Sequence, residues 1–266
     1  MDYIPPIKLL DEVEAASMKK AALSVRGMLL TGFLSGALLA FATAFAFRVS
    51  DGLPAGLTAL VAGATFPVGF AMITLLGLEL ATGNFAVLTV GMARGKTTLA
   101  ATLRNWSWVY LGNFVGSVLV GSLLAVALTE TFTQGAGPLG ARIIAVAESK
   151  TLAYEHAGAH GWLTAVVKGI LCNWMVTTGS VLGLSSTSSA GKIAAVWLPI
   201  SIFFALALEH SIVNIFVIPT AMVLHANISA GQWLWWNQLP VTLGNIVGGV
   251  VFTGLLLHYA HRVSRT

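Results

Sequence analysis

Long apolar stretches without a charged residue follow one another along the chain, separated by short polar segments. These stretches cover positions 27–47, 52–78, 105–129, 169–191 and 226–257. Because a helix needs about 20 apolar residues to cross roughly 30 Å of hydrocarbon, each stretch is long enough to span a membrane. The pattern predicts six membrane-spanning helices, at 27–47, 58–80, 106–129, 163–184, 193–209 and 240–259.

The second and fifth predicted helices each continue past a short interruption, as 85–93 and 212–224. We therefore predict that both helices are broken, at 81–84 and at 209–214. Thr82-Gly83-Asn84 suits a break, because glycine relaxes the dihedral limits and the two polar side chains can satisfy freed backbone groups. Such backbone is tolerated at membrane depth only when it packs in protein or faces a water-filled cavity.

Composition agrees with a membrane protein. Only 9% of the residues are charged and the mean hydropathy is +0.84, whereas about a quarter of a soluble domain is charged. Positions 1–26 carry too many charges for a signal peptide, so we predict a cytoplasmic amphipathic helix there and a transmembrane domain over 27–266. The pI of about 9.4 does not indicate nucleic acid, since no basic cluster stands on a soluble face. Cys172 is the only cysteine, which excludes disulfides within the chain.

Basic residues lie mainly on one side of the predicted spans. That side carries Lys8, Lys19, Lys20, Arg26, Arg94, Lys96, Arg104, Lys192, Arg262 and Arg265. The opposite side carries Arg48, Arg142 and Lys150. Because cytoplasmic loops are enriched in Lys and Arg, we predict a multi-pass protein of the plasma (inner) membrane with both termini in the cytoplasm and the lipid bilayer as a partner.

The chain repeats itself at an offset of about 130 residues. The hexapeptide Leu-Gly-Asn-Phe-Val-Gly at 111–116 reappears at 243–248 with isoleucine in its fourth position, and Leu78-Glu79 reappears as Leu208-Glu209. Since three spans separate the copies, the two halves (about 27–130 and 163–260) should cross the membrane in opposite senses. This predicts an all-α membrane protein built from two inverted three-helix repeats, with its binding site where the broken helices meet.

Glu79, Lys168, Glu209 and His210 are the ionisable residues clearly within the predicted spans. A charge buried there is costly, so each residue needs a partner or a purpose. The two glutamates occupy equivalent positions and either hold the broken backbone by hydrogen bonds or contact a substrate. Lys168 fits a side chain that extends toward the outer surface.

His210 breaks the symmetry of the repeat, because Leu80 occupies the matching position. One explanation is a neutral core histidine that bonds Glu209 or a carbonyl group. The other is function: imidazole changes charge near neutral pH, so in an apolar pore it can attract a small anion and lend it a proton. The neutral acid then passes a hydrophobic constriction that rejects the ion. Phe66, Phe70 and Phe203 lie on the spans that enter the breaks, where they form constrictions or serve as packing.

The sequence carries no sign of an enzyme. It lacks a nucleotide-binding Gly-rich loop, a His-Glu-x-x-His zinc helix and a serine with a general base at useful spacing. We therefore expect no catalytic residue, no metal and no cofactor. The alternatives to an anion pathway are a conduit for neutral small molecules and a membrane anchor or sensor subunit, for example one that binds haem through paired axial histidines.

Four segments of the chain resemble the formate/nitrite transporter family. They are Glu-Leu-Ala-Thr-Gly at 79–83, Gly-Ile-Leu-Cys-Asn-Trp at 169–174, Leu-Glu-His-Ser-Ile-Val-Asn at 208–214 and Pro-Val-Thr-Leu-Gly-Asn at 240–245. Together they are highly specific, and the resemblance covers almost the whole chain. It implies an aquaporin-like fold, a homopentamer with one pore per protomer, and passage of formate, nitrite or similar monovalent anions, with no nucleic acid involved.

The resemblance also implies roles for single residues. His210 would be the central pore histidine and Thr82 its partner, with Asn173 and Asn214 lining or bracing the pore. The implied constriction residues are Phe66, Phe70, Leu80 and Phe203. Lys150 suits the vestibule lysine that precedes span four, and Lys168 is the other candidate.

Overall fold

The computed structural model describes residues 2–263 of the 266-residue chain. Its first half contains α1 (Pro6–Ala22), α2 (Val25–Val49), α3 (Ala55–Thr65), α4 (Pro67–Leu75), α5 (Ala81–Ala93) and α6 (Leu99–Leu128). Its second half contains α7 (Gly137–His156), α8 (Gly158–Leu182), α9 (Ser189–Ala205), α10 (Ser211–Val223), α11 (Ala230–Trp233), α12 (Leu239–Val247) and α13 (Leu256–Val263). Two π-helical stretches, Leu234–Gln238 and Gly248–Leu255, join α11, α12 and α13 into one segment. Arg265 and the side chain of Arg262, used above to predict the orientation, lie outside the described residues.

The described part of the chain is all-α, as predicted. Its one strand-like pairing is an isolated bridge between Tyr3 and Ser186. The segments that are long and apolar enough to cross a membrane are Val25–Val49, Ala55–Leu75, Leu99–Leu128, Gly158–Ser185 and Ala230–His261. The shorter helices α5, α9 and α10 are also apolar. The chain is thus a multi-pass membrane protein, and the count of six crossings stays a prediction because the predicted fifth span, 193–209, lies mainly in α9, which is one of the shorter helices.

Both predicted helix breaks are present, but each begins a few residues before its predicted position. α4 ends at Leu75 and α5 starts at Ala81, so Thr82 lies in the first turn of α5. α9 ends at Ala205 and α10 starts at Ser211. The predicted positions 81–84 and 209–214 are therefore wrong, because the polar residues that suggested them lie mainly at the start of the next helix, where free N–H groups also need partners.

The chain turns inside each break at a residue with left-handed backbone. These residues are Gly77, with φ of 65°, and Ala207, with φ of 50°. They occupy equivalent positions in the two halves, since 130 residues separate them. Glycine adopts this conformation without cost, whereas alanine is strained there, so the same turn is kept even where the residue type does not favour it.

α7 is a helix that the apolar pattern does not predict. Arg142, Glu148 and Lys150 interrupt its sequence, which is why it lacks the pattern of a membrane span. α7 packs against α10 in the same way that α1 packs against α5. The helix predicted within 1–26 is present as α1, and it is the counterpart of α7 in the repeat. The division of the chain at residue 26 stays a prediction.

The repeated hexapeptide brings helices together backbone to backbone. Gly112 and Gly116 on α6 face the backbone of α2, and a β-carbon on Gly116 would overlap the carbonyl oxygen of Phe33. Gly244 and Gly248 face the backbone of α8 in the same manner. Small residues allow such close approach between membrane helices, so the hexapeptide sets the spacing of both helix pairs.

We predict that Gly116→Ala lowers the stability of the protein by about 1–3 kcal/mol, because the added methyl group meets fixed backbone atoms. Gly56→Ala on α3 is the matched control, since a β-carbon there meets open space and alanine is the better helix former. Thermal unfolding of both variants in one detergent tests this. A Gly116→Ala variant as stable as wild type would contradict the close backbone contact.

Candidate functional site

Each helix break contains one residue with extended backbone immediately before the next helix. Leu80 has φ and ψ of −118° and 119°, and His210 has −113° and 117°. Both side chains are buried. An extended residue ends the helical ladder and leaves N–H and C=O groups without helical partners deep in the protein. The two breaks therefore need hydrogen bonds from elsewhere.

Asn113 on α6 supplies these bonds in the first half. Its side-chain oxygen accepts from the N–H of Ala81 at 3.0 Å, and its amide nitrogen donates to the carbonyl oxygen of Glu79 at 3.0 Å. The same nitrogen donates to the carbonyl oxygen of Gly32 on α2 at 2.8 Å. Asn113 thus bonds the backbone on both sides of Leu80.

Asn245 on α12 does the same in the second half. It accepts from the N–H of Ser211 at 2.9 Å and donates to the carbonyl oxygens of Glu209 and Gly169, both at 2.9 Å. The backbone on both sides of His210 is thereby fixed. We call Asn113 and Asn245 the asparagine clamps. They are the third residues of the two hexapeptides. The repeated hexapeptide therefore contains the side chains that stabilise both breaks.

The carboxylate of Glu79 belongs to a closed circuit of side chains, the Lys20 ring. Glu79 accepts from Lys20 Nζ at 2.8 Å and from Asn84 at 2.7 Å. Asn84 also donates to Asn105 at 2.8 Å, and Asn105 donates to the carbonyl oxygen of Lys20 at 3.0 Å. A buried carboxylate thus has both a cation and hydrogen-bond donors, which offset its loss of hydration.

The second half contains an equivalent circuit, the Lys150 ring. Glu209 accepts from Lys150 Nζ at 2.8 Å and from Asn214 at 2.7 Å. Asn214 donates to Asn237 at 2.9 Å, which donates to the carbonyl oxygen of Lys150 at 2.8 Å. Tyr154 of α7 adds a hydrogen bond to Glu209 at 2.8 Å. Burial, together with the negative charge of Glu209, raises the pKa of Tyr154 above its usual value, so the phenol stays a donor.

The glutamates therefore hold neighbouring side chains, and the clamps hold the broken backbone. The first alternative for Glu79 and Glu209, hydrogen bonds to the broken backbone, is wrong for the described residues. Asparagine both accepts and donates, so it fits a break that exposes both kinds of group. Sequence reasoning missed Lys20, which is one of several basic residues near the N terminus. The signal was its spacing, since Lys20 and Lys150 both precede their glutamates by 59 residues.

His210 and Thr82 bring the two halves into contact. Thr82 Oγ1 lies 3.1 Å from His210 Nε2, and both residues are buried. The other ring nitrogen, Nδ1, accepts from the N–H of Val213 at 3.2 Å and so caps α10. An accepting Nδ1 carries no proton, so the hydrogen of the neutral ring is on Nε2, which donates to Thr82. Both ring nitrogens are engaged, which argues against His210 as a haem ligand.

Asn173 on α8 braces this contact. Its amide nitrogen donates to the carbonyl oxygens of Thr82 at 3.1 Å and of Asn245 at 2.6 Å. Its side-chain oxygen is buried and has no hydrogen-bond partner among the described residues. Asn173 therefore fixes the first turn of α5 to the second clamp and leaves one acceptor atom unused.

Aromatic rings surround His210 on one side. The ring of Phe203 stacks on the imidazole with 5.6 Å between centroids, and Phe66 meets Phe203 edge to face at 5.5 Å. Phe66 also stacks on Phe204 at 3.9 Å. These contacts place Phe203 beside the histidine and Phe66 beside Phe203, and Phe70 belongs to the same buried core cluster.

Two cavities reach the helix breaks. The Phe70 cavity, about 350 Å³, is lined by Phe70, Leu80 and Lys20. The Phe203 cavity, about 320 Å³, is lined by Phe203, His210 and Lys150 among others. Each cavity thus reaches one helix break and contains the lysine of the corresponding ring. All four residues predicted to form constrictions lie at these cavities or in the aromatic cluster; their role as constrictions stays a prediction.

The two candidate vestibule lysines lie in different surroundings. Lys150 pairs with Glu209 and lines the Phe203 cavity. Lys168 lies with its Nζ 5.8 Å from the ring centroid of Tyr154 and lines a second cavity beside α7, which Lys150 and Glu209 also line. Asn214, predicted to line or brace the pore, belongs to the Lys150 ring, and its N–H also donates to the carbonyl oxygen of His210 at 2.9 Å. Within residues 2–263 no group of His, Cys, Asp and Glu side chains is arranged to hold a metal ion.

Comparison with known proteins gives consistent matches. The sequence profile described as formate/nitrite transporter matches residues 8–259. A probable formate transporter of Methanothermobacter thermautotrophicus is 37% identical over 248 residues, which is 88% of each chain. An FNT family ion channel of known structure superposes with a TM-score of 0.79 at 26% identity, over 95% of this chain and 98% of that one. A structure described as a pentameric formate channel with formate bound gives a TM-score of 0.74 at 26% identity, over 91% and 98%.

We predict that Lys150→Met destabilises the protein by about 3–5 kcal/mol, because it leaves Glu209 buried without its cation. Lys168→Met removes the same charge, but Lys168 has no carboxylate partner among the described residues. This variant should therefore change stability little. Thermal unfolding compares the two variants. Adding Glu209→Gln to Lys150→Met should recover much of the loss, and strictly additive effects would contradict the coupling.

Proposed function

Because this chain belongs to the formate/nitrite transporter family, we propose that it is a membrane channel or transporter for small monovalent anions such as formate or nitrite. The observation that carries the proposal is the buried contact between Thr82 and His210, with a cavity reaching each of the two helix breaks that supply them. The relatives named as formate channels and transporters support the same class of substrate.

The charges around the cavities favour an anion. Lys20 and Lys150 line the two cavities, and the carboxylates that neutralise them are more deeply buried than the lysines, with side chains 8% and 1% exposed against 21% and 15%. An anion in the Phe203 cavity therefore meets Lys150 rather than Glu209, whereas Glu79 lines the Phe70 cavity beside Lys20. We propose that Lys150 is the vestibule lysine and that Lys20 serves the opposite side.

At the centre, we propose that His210 is the pore histidine. An anion beside the ring meets the Nε2 hydrogen and the hydroxyl group of Thr82, which are both donors. For the ring to lend its Nε2 proton, Nδ1 must take up another, and this displaces the hydrogen bond from Val213. The negative charge of the anion stabilises the doubly protonated ring, so proton transfer is favoured only while an anion is present. The proton taken up by Nδ1 comes from water on the entry side, and the ring that remains is neutral with its hydrogen on Nδ1. The neutral acid crosses the apolar surroundings of Phe203 and releases its proton to water as it leaves.

We predict that Thr82→Ala and His210→Phe both reduce formate uptake into liposomes without unfolding the protein, since each removes a donor at the centre. The pH dependence of uptake distinguishes proton transfer by His210 from a purely structural role of that residue. Protein-mediated uptake should rise on acidification in wild type and stay flat in His210→Asn, which keeps hydrogen bonding and loses titration.

Protein-free liposomes at each pH are the control, because acid also increases the freely permeant form of formate in the bulk. An equal rise in wild type and His210→Asn would mean that His210 is a structural polar residue. Absence of uptake above the control in wild type, with permeation of uncharged solutes retained, would instead support a conduit for neutral molecules.

We further propose that the protein is a homopentamer in the plasma (inner) membrane, with both termini in the cytoplasm. The solved pentameric formate channel supports this number, and the exposed apolar residues of the outer helix faces, such as Leu198 and Leu30, suit contact with lipid or with other protomers. Native mass spectrometry in mild detergent is expected to record five copies. Monomers or dimers alone would contradict the pentamer.

A further inference from the structure

Arg142 is a second cation in the Phe203 cavity that neither ring uses. It lies on α7 eight residues before Lys150, so the two side chains share one face of the helix about 12 Å apart along its axis. Val146, between them on that face, lines the same cavity. The face of α7 thus leads from Arg142 through Val146 to Lys150.

The guanidinium of Arg142 is held in a fixed position. Its Nη1 donates to the carbonyl oxygen of Phe47 at 3.0 Å, and its central carbon lies 5.1 Å from the centroid of the Phe47 ring. Asp51 is 3.9 Å from Nη1, which is beyond hydrogen-bond distance. Among the described residues the hydrogen bonds recorded for this guanidinium all involve Nη1. The N–H groups of Nε and Nη2 therefore have no protein acceptor within the described part of the chain.

A guanidinium with a free pair of N–H groups matches the two oxygens of a small carboxylate, which it can bind with two parallel hydrogen bonds. Building on the proposed function, we propose that Arg142 is an outer binding site for a small monovalent carboxylate, from which the anion moves to Lys150 and then to His210. The Phe47 contacts orient the guanidinium, and the side chain is 18% exposed, so the site is open to solvent.

Asp51 lowers the affinity of this site for an anion. Its carboxylate is close enough to reduce the positive potential at Arg142 but leaves the Nε and Nη2 groups free. In the other half the position 130 residues before Arg142 is the exposed Glu12, and the second cation lining the Phe70 cavity is Lys19, which lacks the planar fork of a guanidinium. The outer site therefore acts on anions arriving from one side of the membrane only.

Arg142 also has a purely structural explanation. Phe47 lies in the last turn of α2, whose carbonyl groups need partners, and Nη1 supplies one. This explanation predicts an effect of substitution on stability and none on the concentration dependence of transport. The two explanations therefore differ in what Asp51→Asn does, since that variant leaves the Phe47 contact in place.

The test is the initial rate of formate uptake against formate concentration, at constant pH, in right-side-out and inside-out vesicles from cells without other formate transporters. Arg142→Gln is expected to raise the half-saturating concentration about three- to tenfold, the size of one partly exposed charge-assisted contact, with the maximal rate unchanged. The effect should occur in one vesicle orientation. Asp51→Asn should lower the half-saturating concentration in the same orientation.

Arg48→Gln is the matched control, because it removes a charge from the exposed residue next to Phe47 and should leave uptake unchanged. Wild-type uptake combined with unaltered half-saturation in both Arg142→Gln and Asp51→Asn would overturn the outer site and leave the proposed function standing. Absence of wild-type uptake above vesicles without the protein would overturn the proposed function itself. If Arg142→Gln does not fold, an unchanged value in Asp51→Asn alone overturns the outer site.

Discussion

The structure depends on the hydrogen bonds of two asparagines to backbone that leaves the helical conformation inside the protein. A polypeptide that breaks its helices at membrane depth exposes N–H and C=O groups where water cannot reach all of them. Asn113 and Asn245 satisfy a donor and an acceptor at each break and also bond the neighbouring long helix. The extended residues between them can then present their side chains to the centre of the molecule. Leu80 and His210 occupy these two positions, so a support common to both halves carries two different side chains.

The two halves of the molecule share the side chains that compensate a buried charge, because each half contains one. Each half buries a glutamate, and each supplies a lysine and two asparagines around it, because an uncompensated carboxylate would be too costly. The asymmetric parts lie at the central contact and at the outer part of the Phe203 cavity. Asn173 fixes Thr82 from one half to Asn245 from the other. Arg142 has an acidic residue as its counterpart in the repeat. The fold is therefore a duplicated frame in which a small number of unmatched residues determine the chemistry.

Periodicity and the repeat together predicted much of this frame. Apolar stretches located the long helices, since lipid demands uninterrupted apolar length, and the repeated hexapeptide marked both asparagine clamps. The contact of Thr82 with His210 followed from the resemblance and the repeat. α7 could not be predicted in this way, because a helix that packs inside the protein and carries charges to a buried partner has no apolar pattern of its own. The role of Lys20 depends on a contact with Glu79, 59 residues away, which local sequence does not reveal. The exact start of each break depends on the left-handed turn at Gly77 and Ala207, and alanine gives no signal of such a turn.

The order of the residues in the two rings bears on how the protein is made. In each half the lysine is synthesised 59 residues before the glutamate that it neutralises. At about 5–20 residues per second, the cation leaves the ribosome several seconds before the acid. α1 and α7 are therefore already synthesised when the broken helices enter the bilayer. Each glutamate can then form its ion pair with the lysine as soon as it enters. A chain with the opposite order would have to keep a carboxylate in the membrane while its lysine was still being translated.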